Sequence, residues 1–191
     1  MASVVEIEDE FCFEMIDSYF ESLPIAFLKG TGSILFASFV VFVAFKGFKK
    51  SLRYTALVAL LEYIILLYCS TVIYRITQTE RKYDFHPFWT YSAIMEGKEQ
   101  YITEAIMNVI AFIPLGLLLG CSFQSITWWR VFMVGSLLSM GIETLQFLYM
   151  KGFSELDDVM HNALGCMIGY GLYALIRFGF DKIFKRRVSV M

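Results

Sequence analysis

Residues 105–123 read AIMNVIAFIPLGLLLGCSF, an apolar run of 19 residues that contains no charged side chain. A helix needs about 20 mostly apolar residues to cross the hydrocarbon core of a bilayer. Four further stretches qualify, and the five predicted spans cover about 30–45, 54–74, 105–123, 131–150 and 159–178. The sequence therefore predicts an all-α, polytopic membrane helix bundle with about five transmembrane helices.

The composition of the whole chain agrees with a membrane protein. Hydrophobic residues make up 58% of the 191 residues and charged residues 18%, and the mean hydropathy is +0.61. A chain this apolar is not intrinsically disordered. Its net charge of -2 provides no overall basic field, so we expect the lipid bilayer as its partner and no nucleic acid. The four cysteines are scattered without a CxxC pair, which indicates buried thiols rather than a disulfide or zinc framework.

The distribution of charge predicts how the five spans are oriented. With the N-terminus outside and the C-terminus in the cytoplasm, the cytoplasmic segments hold ten Lys and Arg residues and the outside segments hold six. This excess is what the positive-inside rule requires. Trp128 and Trp129 would then lie at the cytoplasmic interface, where an aromatic belt is expected.

Two segments flank the predicted bundle of residues 24–178. The acidic N-terminal segment, residues 1–23, carries seven acidic groups and no Lys or Arg, which opposes a secretory signal peptide. Its apolar residues recur at helical spacing, so it is either a solvated acidic cap, which we favour, or an amphipathic interfacial helix. Residues 179–191 form a basic cytoplasmic tail. The predicted outside loop, residues 75–104, is rich in charge and aromatic rings and could form a lid or platform.

Polar side chains gather at one predicted depth of the membrane. Ionisable and amide groups are costly in hydrocarbon, so they are candidates for function. The predicted topology brings most of them to the outer leaflet, whereas Glu62 lies near the middle of its span. We expect an outward-facing polar pocket that binds a ligand. The residues assigned to this pocket are Arg75, Asn108, Glu143, Gln146, Asp157, Asp158 and Asn162.

Helical spacing places members of this cluster on shared faces. Glu143 and Gln146 are three residues apart, so they lie on one face of the fourth span. Asp158 and Asn162 are four residues apart and share a face of the fifth span in the same way. The spacing therefore predicts that both pairs point into the bundle together.

Small residues predict close contact between helices. The third and fifth spans carry G-x-x-x-G motifs at residues 116–120 and 165–169, which allow helix backbones to approach closely. These faces could serve internal packing or dimerisation, so the oligomeric state stays open. Pro114 is expected to kink the third span and to widen its outer half.

Each member of the cluster also has a purely structural explanation. The two asparagines could be interhelical hydrogen-bonding residues, worth roughly 1 kcal/mol each. One of Asp157 and Asp158 is expected to cap the N-terminus of a helix. A carboxylate such as Glu143 needs a partner within the membrane, and Arg75 is the best candidate for that ion pair. The pair could be structural or part of the pocket.

Three motifs follow one another in the second half of the chain. They are Asn108-x-x-x-Phe112-x-Pro114-x-Gly116, Glu143-x-x-Gln146 and Asp157-Asp158-x-x-x-Asn162-x-x-Gly165. This ordered set resembles the VanZ-like family of small bacterial membrane proteins, over roughly residues 75–173. Members usually carry Gly-Arg shortly before the Asp-Asp pair, whereas this chain has Lys151 and no arginine there. The forked guanidinium of arginine and the point charge of lysine bind carboxylate or phosphate differently.

The resemblance implies a multi-pass protein of the bacterial cytoplasmic membrane with a role in the cell envelope. The prototype of the family is linked to resistance against glycopeptide antibiotics, chiefly teicoplanin. We therefore favour a protein that binds a lipid-linked cell-wall precursor or another envelope ligand without catalysing a reaction.

Two other classes of function remain open at this point. An intramembrane metal-assisted hydrolase or phosphotransferase could use the acidic and imidazole side chains on an envelope lipid. The spacing singles out no metal, however, and we predict neither a resident metal nor a cofactor. A transporter is less favoured because the five spans show no inverted repeat and the polar groups cluster on one side.

Overall fold

The structure, a computed structural model, describes residues 36, 37, 40 and 48–188. Helix α1 is followed by a π-helical turn, Cys69–Ile73, and two short strands and four more helices complete the described part. The elements are α1 (Phe48–Tyr68), β1 (Lys82–Asp84), α2 (Trp89–Met95), α3 (Gln100–Ser122), α4 (Trp128–Tyr149), β2 (Phe153–Glu155) and α5 (Leu156–Val188). The predicted acidic segment and nearly all of the first predicted span lie outside the described residues.

Four of the described helical stretches are long and apolar enough to cross a membrane. They are Ser51–Ile73, Gln100–Ser122, Trp128–Tyr149 and Leu156–Gly179. These stretches overlap the last four predicted spans and confirm an all-α, polytopic bundle. Helix α5 continues beyond its apolar part to Val188, because no proline or glycine follows Gly179 to end it. The orientation of the bundle in the membrane stays a prediction.

Helices α3 and α5 lie in direct backbone contact along their glycines. A Cβ atom on Gly116 would collide with the carbonyl group of Cys166. Cβ atoms on Gly165 and Gly169 would collide with carbonyl groups of α3. The two G-x-x-x-G motifs thus serve packing within the chain, and they bring the first turns of α3 and α5 together.

The core of the bundle is apolar and runs between α1, α3, α4 and α5. Its buried residues are Leu60, Leu67, Val72, Phe112, Leu115, Leu119, Val131, Ile142 and Cys166. Large apolar side chains on the opposite helix faces, such as Leu61 and Leu137, are exposed, as expected for surfaces that contact lipid. Cys69, Cys121 and Cys166 are free thiols.

One end of the bundle carries additional structure, and we call it the capped end. Here α1 and α4 end and α3 and α5 begin, and residues 74–99 fold across them. Strand β1 from this segment pairs in parallel with β2, with Lys82 opposite Phe153 and Asp84 opposite Glu155. The predicted outside loop therefore has its own secondary structure, which is anchored on the hairpin between α4 and α5.

Candidate functional site

Segments from all four long helices and β2 meet around one cavity of about 130 Å³ at the capped end. Six of the seven predicted site residues line this cavity, namely Arg75, Asn108, Glu143, Gln146, Asp158 and Asn162. Glu104, Phe153 and Glu155, which the prediction left out, line it as well. The helical faces inferred from sequence spacing therefore do converge, although they lie on different helices.

Asp157 is the predicted site residue that does not line the cavity. Its side chain is fully buried, and its carboxylate accepts hydrogen bonds from the backbone N–H groups of Phe88, at 2.7 Å, and Thr90, at 2.9 Å. These groups lie at the start of α2. Consecutive residues of a helix point about 100° apart, so Asp158 faces the cavity while Asp157 faces α2. Asp157 thus anchors the loop instead of a ligand, and it caps a helix 67 residues away in the sequence.

Two amide side chains direct their nitrogens into the protein. Gln146 donates from Nε2 to the carbonyl oxygen of Thr71 at 3.0 Å, and Asn162 donates from Nδ2 to Ser139 Oγ at 2.8 Å. A carbonyl oxygen can only accept, so the orientation of the Gln146 amide is fixed. Gln146 Oε1 and Asn162 Oδ1 remain buried with no hydrogen-bond partner in the described part of the chain. Two residues that line the cavity therefore each carry a buried acceptor that pairs with no donor among the described residues.

Glu143 ties α4 to β2. Its Oε2 atom accepts a hydrogen bond from the backbone N–H of Glu155 at 2.9 Å, and its carbonyl oxygen accepts one from Ser154 Oγ at 3.0 Å. The predicted ion pair with Arg75 is wrong, since no contact within 4.0 Å joins the two charged groups. The guanidinium group of Arg75 instead lies against Gly152, where a Cβ atom would collide with it.

The cavity wall is rich in carboxyl groups. Four carboxyl groups line it, those of Glu104, Glu143, Glu155 and Asp158, beside the single guanidinium group of Arg75. Burial raises the pKa of Glu155 to about 9, and the negative charges of Asp158, Glu104 and Glu143 contribute to the shift. Glu155 is therefore protonated at neutral pH and can donate a hydrogen bond.

One of the residues left out of the prediction carried a usable signal. Glu104 lies four residues before Asn108, so the two share a face of α3. Glu155 had no such signal, because its position depends on the pairing of β2 with β1 and on the contact with Glu143.

Comparison with known proteins identifies the family. The family model described as VanZ/LLP1 matches residues 54–177, which is more than half of the chain. The chain belongs to the VanZ/LLP1 family. A curated relative, Protein VanZ of Enterococcus faecium, is 40% identical over 72 residues. That stretch covers 38% of this chain and 45% of the relative, so the chain matches less than half of the relative's length. No solved structure matches the chain.

Lys151 of this VanZ-like chain contacts the segment that carries Arg75. Lys151 donates from Nζ to the carbonyl oxygen of Arg75 at 2.8 Å. The lysine thus ties the hairpin between α4 and α5 to the backbone of Arg75.

The two histidines of this VanZ-like chain contact the loop. His161 is buried in α5, with Nε2 at 3.1 Å from Tyr91 Oη and Nδ1 at 3.9 Å from Asp158 Oδ1. His86 pairs with Asp84 at 2.8 Å, and hydrogen bonding from the His86 backbone lowers the pKa of Asp84. Within residues 48–188, no group of three or more His, Cys, Asp or Glu side chains is arranged to hold a metal ion. The metal-assisted alternative stays a prediction.

Proposed function

We propose that this VanZ-like protein binds a cell-envelope ligand in the cavity, at the outer face of the bacterial cytoplasmic membrane. The ligand is a lipid-linked cell-wall precursor or a related envelope molecule, and its binding contributes to resistance against teicoplanin-type glycopeptides. The observation that supports this proposal is the convergence of six polar residues from separate segments on one cavity. Purely structural hydrogen bonding would not require so many elements to present polar groups to one space.

The two unsatisfied amide oxygens are the strongest part of this argument. A buried acceptor without a partner costs about 1–3 kcal/mol, so native proteins keep such atoms rare. Gln146 Oε1 and Asn162 Oδ1 both belong to residues that line the cavity. A hydroxyl or ammonium group of a ligand would donate to them and recover this free energy. The cavity is therefore suited to a ligand that is rich in hydrogen-bond donors.

Susceptibility to teicoplanin tests this function. We expect Gln146→Met and Asn162→Leu, which remove the amide acceptors at similar volume, to abolish any resistance that the wild-type protein confers on a susceptible host. The matched control is Thr55→Val, which removes a buried, unpaired hydroxyl about three helical turns from the cavity. Membrane levels of all variants are measured by immunoblot. Resistance that survives both cavity substitutions would contradict the proposal.

Thiol labelling tests the proposed orientation. Single cysteines replace residues 84, 108, 143, 155 and 162 in a background without native cysteines, and a membrane-impermeant reagent is added to intact cells. We expect labelling at Asp84, which lies in the loop, and slow labelling at Asn108 and Asn162, which line the cavity. Labelling that requires opening of the cytoplasmic face would place the cavity on the inner side.

A further inference from the structure

A second, wider space adjoins the cavity at the capped end, and we call it the vestibule. Its volume is about 530 Å³, and its lining includes Arg81, Lys82, Gln78, Gln100 and Tyr101. Glu104 and Phe153 line both the vestibule and the cavity. The two spaces are therefore neighbours that share part of their lining.

The two spaces differ in chemistry. The vestibule presents the cations Arg81 and Lys82 together with amide and phenol groups, all of which can donate hydrogen bonds to an anion. The cavity presents four carboxyl groups and two buried amide oxygens without a partner on the residues of its wall. Glu104 lines both spaces, so the difference in charge comes from the cations, two in the vestibule and one, Arg75, in the cavity. This arrangement distinguishes the two ends of a bipolar ligand.

The vestibule is held in place by the fold. Lys82 lies on β1, whose backbone pairs with Phe153 of β2. The Arg81 guanidinium lies over the ring of Phe147, at 5.6 Å from its centroid, which positions the cation without neutralising it. The ring of Trp89 packs edge-on against Phe153, with centroids 5.3 Å apart, and stiffens the shared wall. The two cations thus have defined positions beside the cavity.

We propose that the vestibule and the cavity together bind a phosphodiester headgroup. The phosphate contacts Arg81 and Lys82, and the other arm of the diester carries a primary ammonium or hydroxyl groups into the cavity. There it donates to Gln146 Oε1 and Asn162 Oδ1. The inference rests on the proposed function and names the chemistry of its ligand. The volume of the cavity, about 130 Å³, is well below that of a site for a drug-sized molecule, and this favours a headgroup arm over a whole lipid.

Soluble headgroups test the inference on the full chain in detergent, by isothermal titration calorimetry. The probes are glycerophosphoethanolamine, glycerophosphoglycerol, the methyl diester of phosphocholine, inorganic phosphate and ethanolamine. We expect the first two to bind and the methyl diester of phosphocholine to bind at least about tenfold more weakly, because neither of its arms carries an N–H or O–H group to donate. Phosphate alone and ethanolamine alone each satisfy one space and should bind more weakly than the diester. A free phosphate ion that binds as tightly as the diester would overturn the inference.

Variants distinguish this inference from the proposed function. The double variant Arg81→Gln, Lys82→Gln should weaken binding of glycerophosphoethanolamine about tenfold, and the wild-type affinity should fall as salt is raised. Lys98→Gln is the control, since this exposed lysine is paired with Glu96 and does not line either space.

Loss of binding in Gln146→Met but not in the double variant would leave a cavity ligand in place and overturn the role of the vestibule. Absence of binding by glycerophosphoethanolamine and glycerophosphoglycerol would overturn the inference by itself, since the teicoplanin assay tests the proposed function with no assumption about phosphate. Thermal unfolding of each variant verifies that it is folded.

Discussion

Replacement of Asp157 by alanine should release the loop from the bundle. The carboxylate is fully buried and accepts two hydrogen bonds, from Phe88 N–H and Thr90 N–H. Hydrogen bonds to a charged group contribute about 1.5–3 kcal/mol each, so their joint loss destabilises the docked loop by about 3–6 kcal/mol. Because 1.4 kcal/mol corresponds to a factor of ten, opening of α2 should become about a hundredfold to ten-thousandfold more frequent.

Hydrogen exchange measured by mass spectrometry is the assay for this release. Peptides that cover residues 88–96 should lose protection in the Asp157→Ala variant, while peptides from the middle of α3 keep theirs. Asp84→Ala is the matched control, because Asp84 accepts a backbone N–H from His86 in the same loop at an exposed position. We expect less than a tenfold change for that control. Unchanged exchange at residues 88–96 in Asp157→Ala would refute the assignment of Asp157 as the anchor of the loop.

Three further predictions concern packing, pH and the hairpin. Gly116→Ala should destabilise the protein by about 1–3 kcal/mol or more, because the new Cβ atom would meet the backbone of α5. Gly179→Ala is the control and should be neutral or stabilising, because no atom lies within 4 Å of the added Cβ. Thermal unfolding in detergent compares the two variants. The raised pKa of Glu155 means that its contribution to stability is complete below the unfolded pKa of 4.5 and is lost as the pH rises through about 9. The melting temperature should therefore fall between about pH 4.5 and pH 9, and it should fall less in Glu155→Gln. Equal pH profiles of the two proteins would contradict the raised pKa of Glu155. Lys151→Ala removes an exposed hydrogen bond to the Arg75 carbonyl oxygen and should change the free energy of unfolding by less than about 1 kcal/mol. A larger loss of stability in a denaturant titration would contradict this expectation.

Much of the fold followed from local properties of the chain. The lengths of the apolar runs predicted four helices that the structure describes as long enough to span a membrane. The G-x-x-x-G motifs predicted close approach of backbones, and the contact of Gly116 with Cys166 shows where it occurs. Hydrophobic length and helical period depend only on neighbouring residues, so a single sequence contains them.

The candidate site was predictable to the level of helix faces. Spacing placed Glu143 with Gln146 and Asp158 with Asn162, and both pairs line the cavity. Spacing did not show that Asp158 lines the cavity whereas Asp157 binds the start of α2, because this depends on which element packs against each side of α5.

The sequence by itself determined the class of the protein, its helices and the polar character of one end of the bundle. The tertiary structure decided which polar atoms are left without partners, that Arg75 and Glu143 do not pair, and that a basic vestibule adjoins a cavity rich in carboxyl groups. These features depend on the rotation of each helix and on contacts between residues some 70 positions apart, such as Asp157 with Phe88, which are 69 apart. Such contacts leave no periodic trace in a single sequence, since they are set by the packing of the folded chain as a whole.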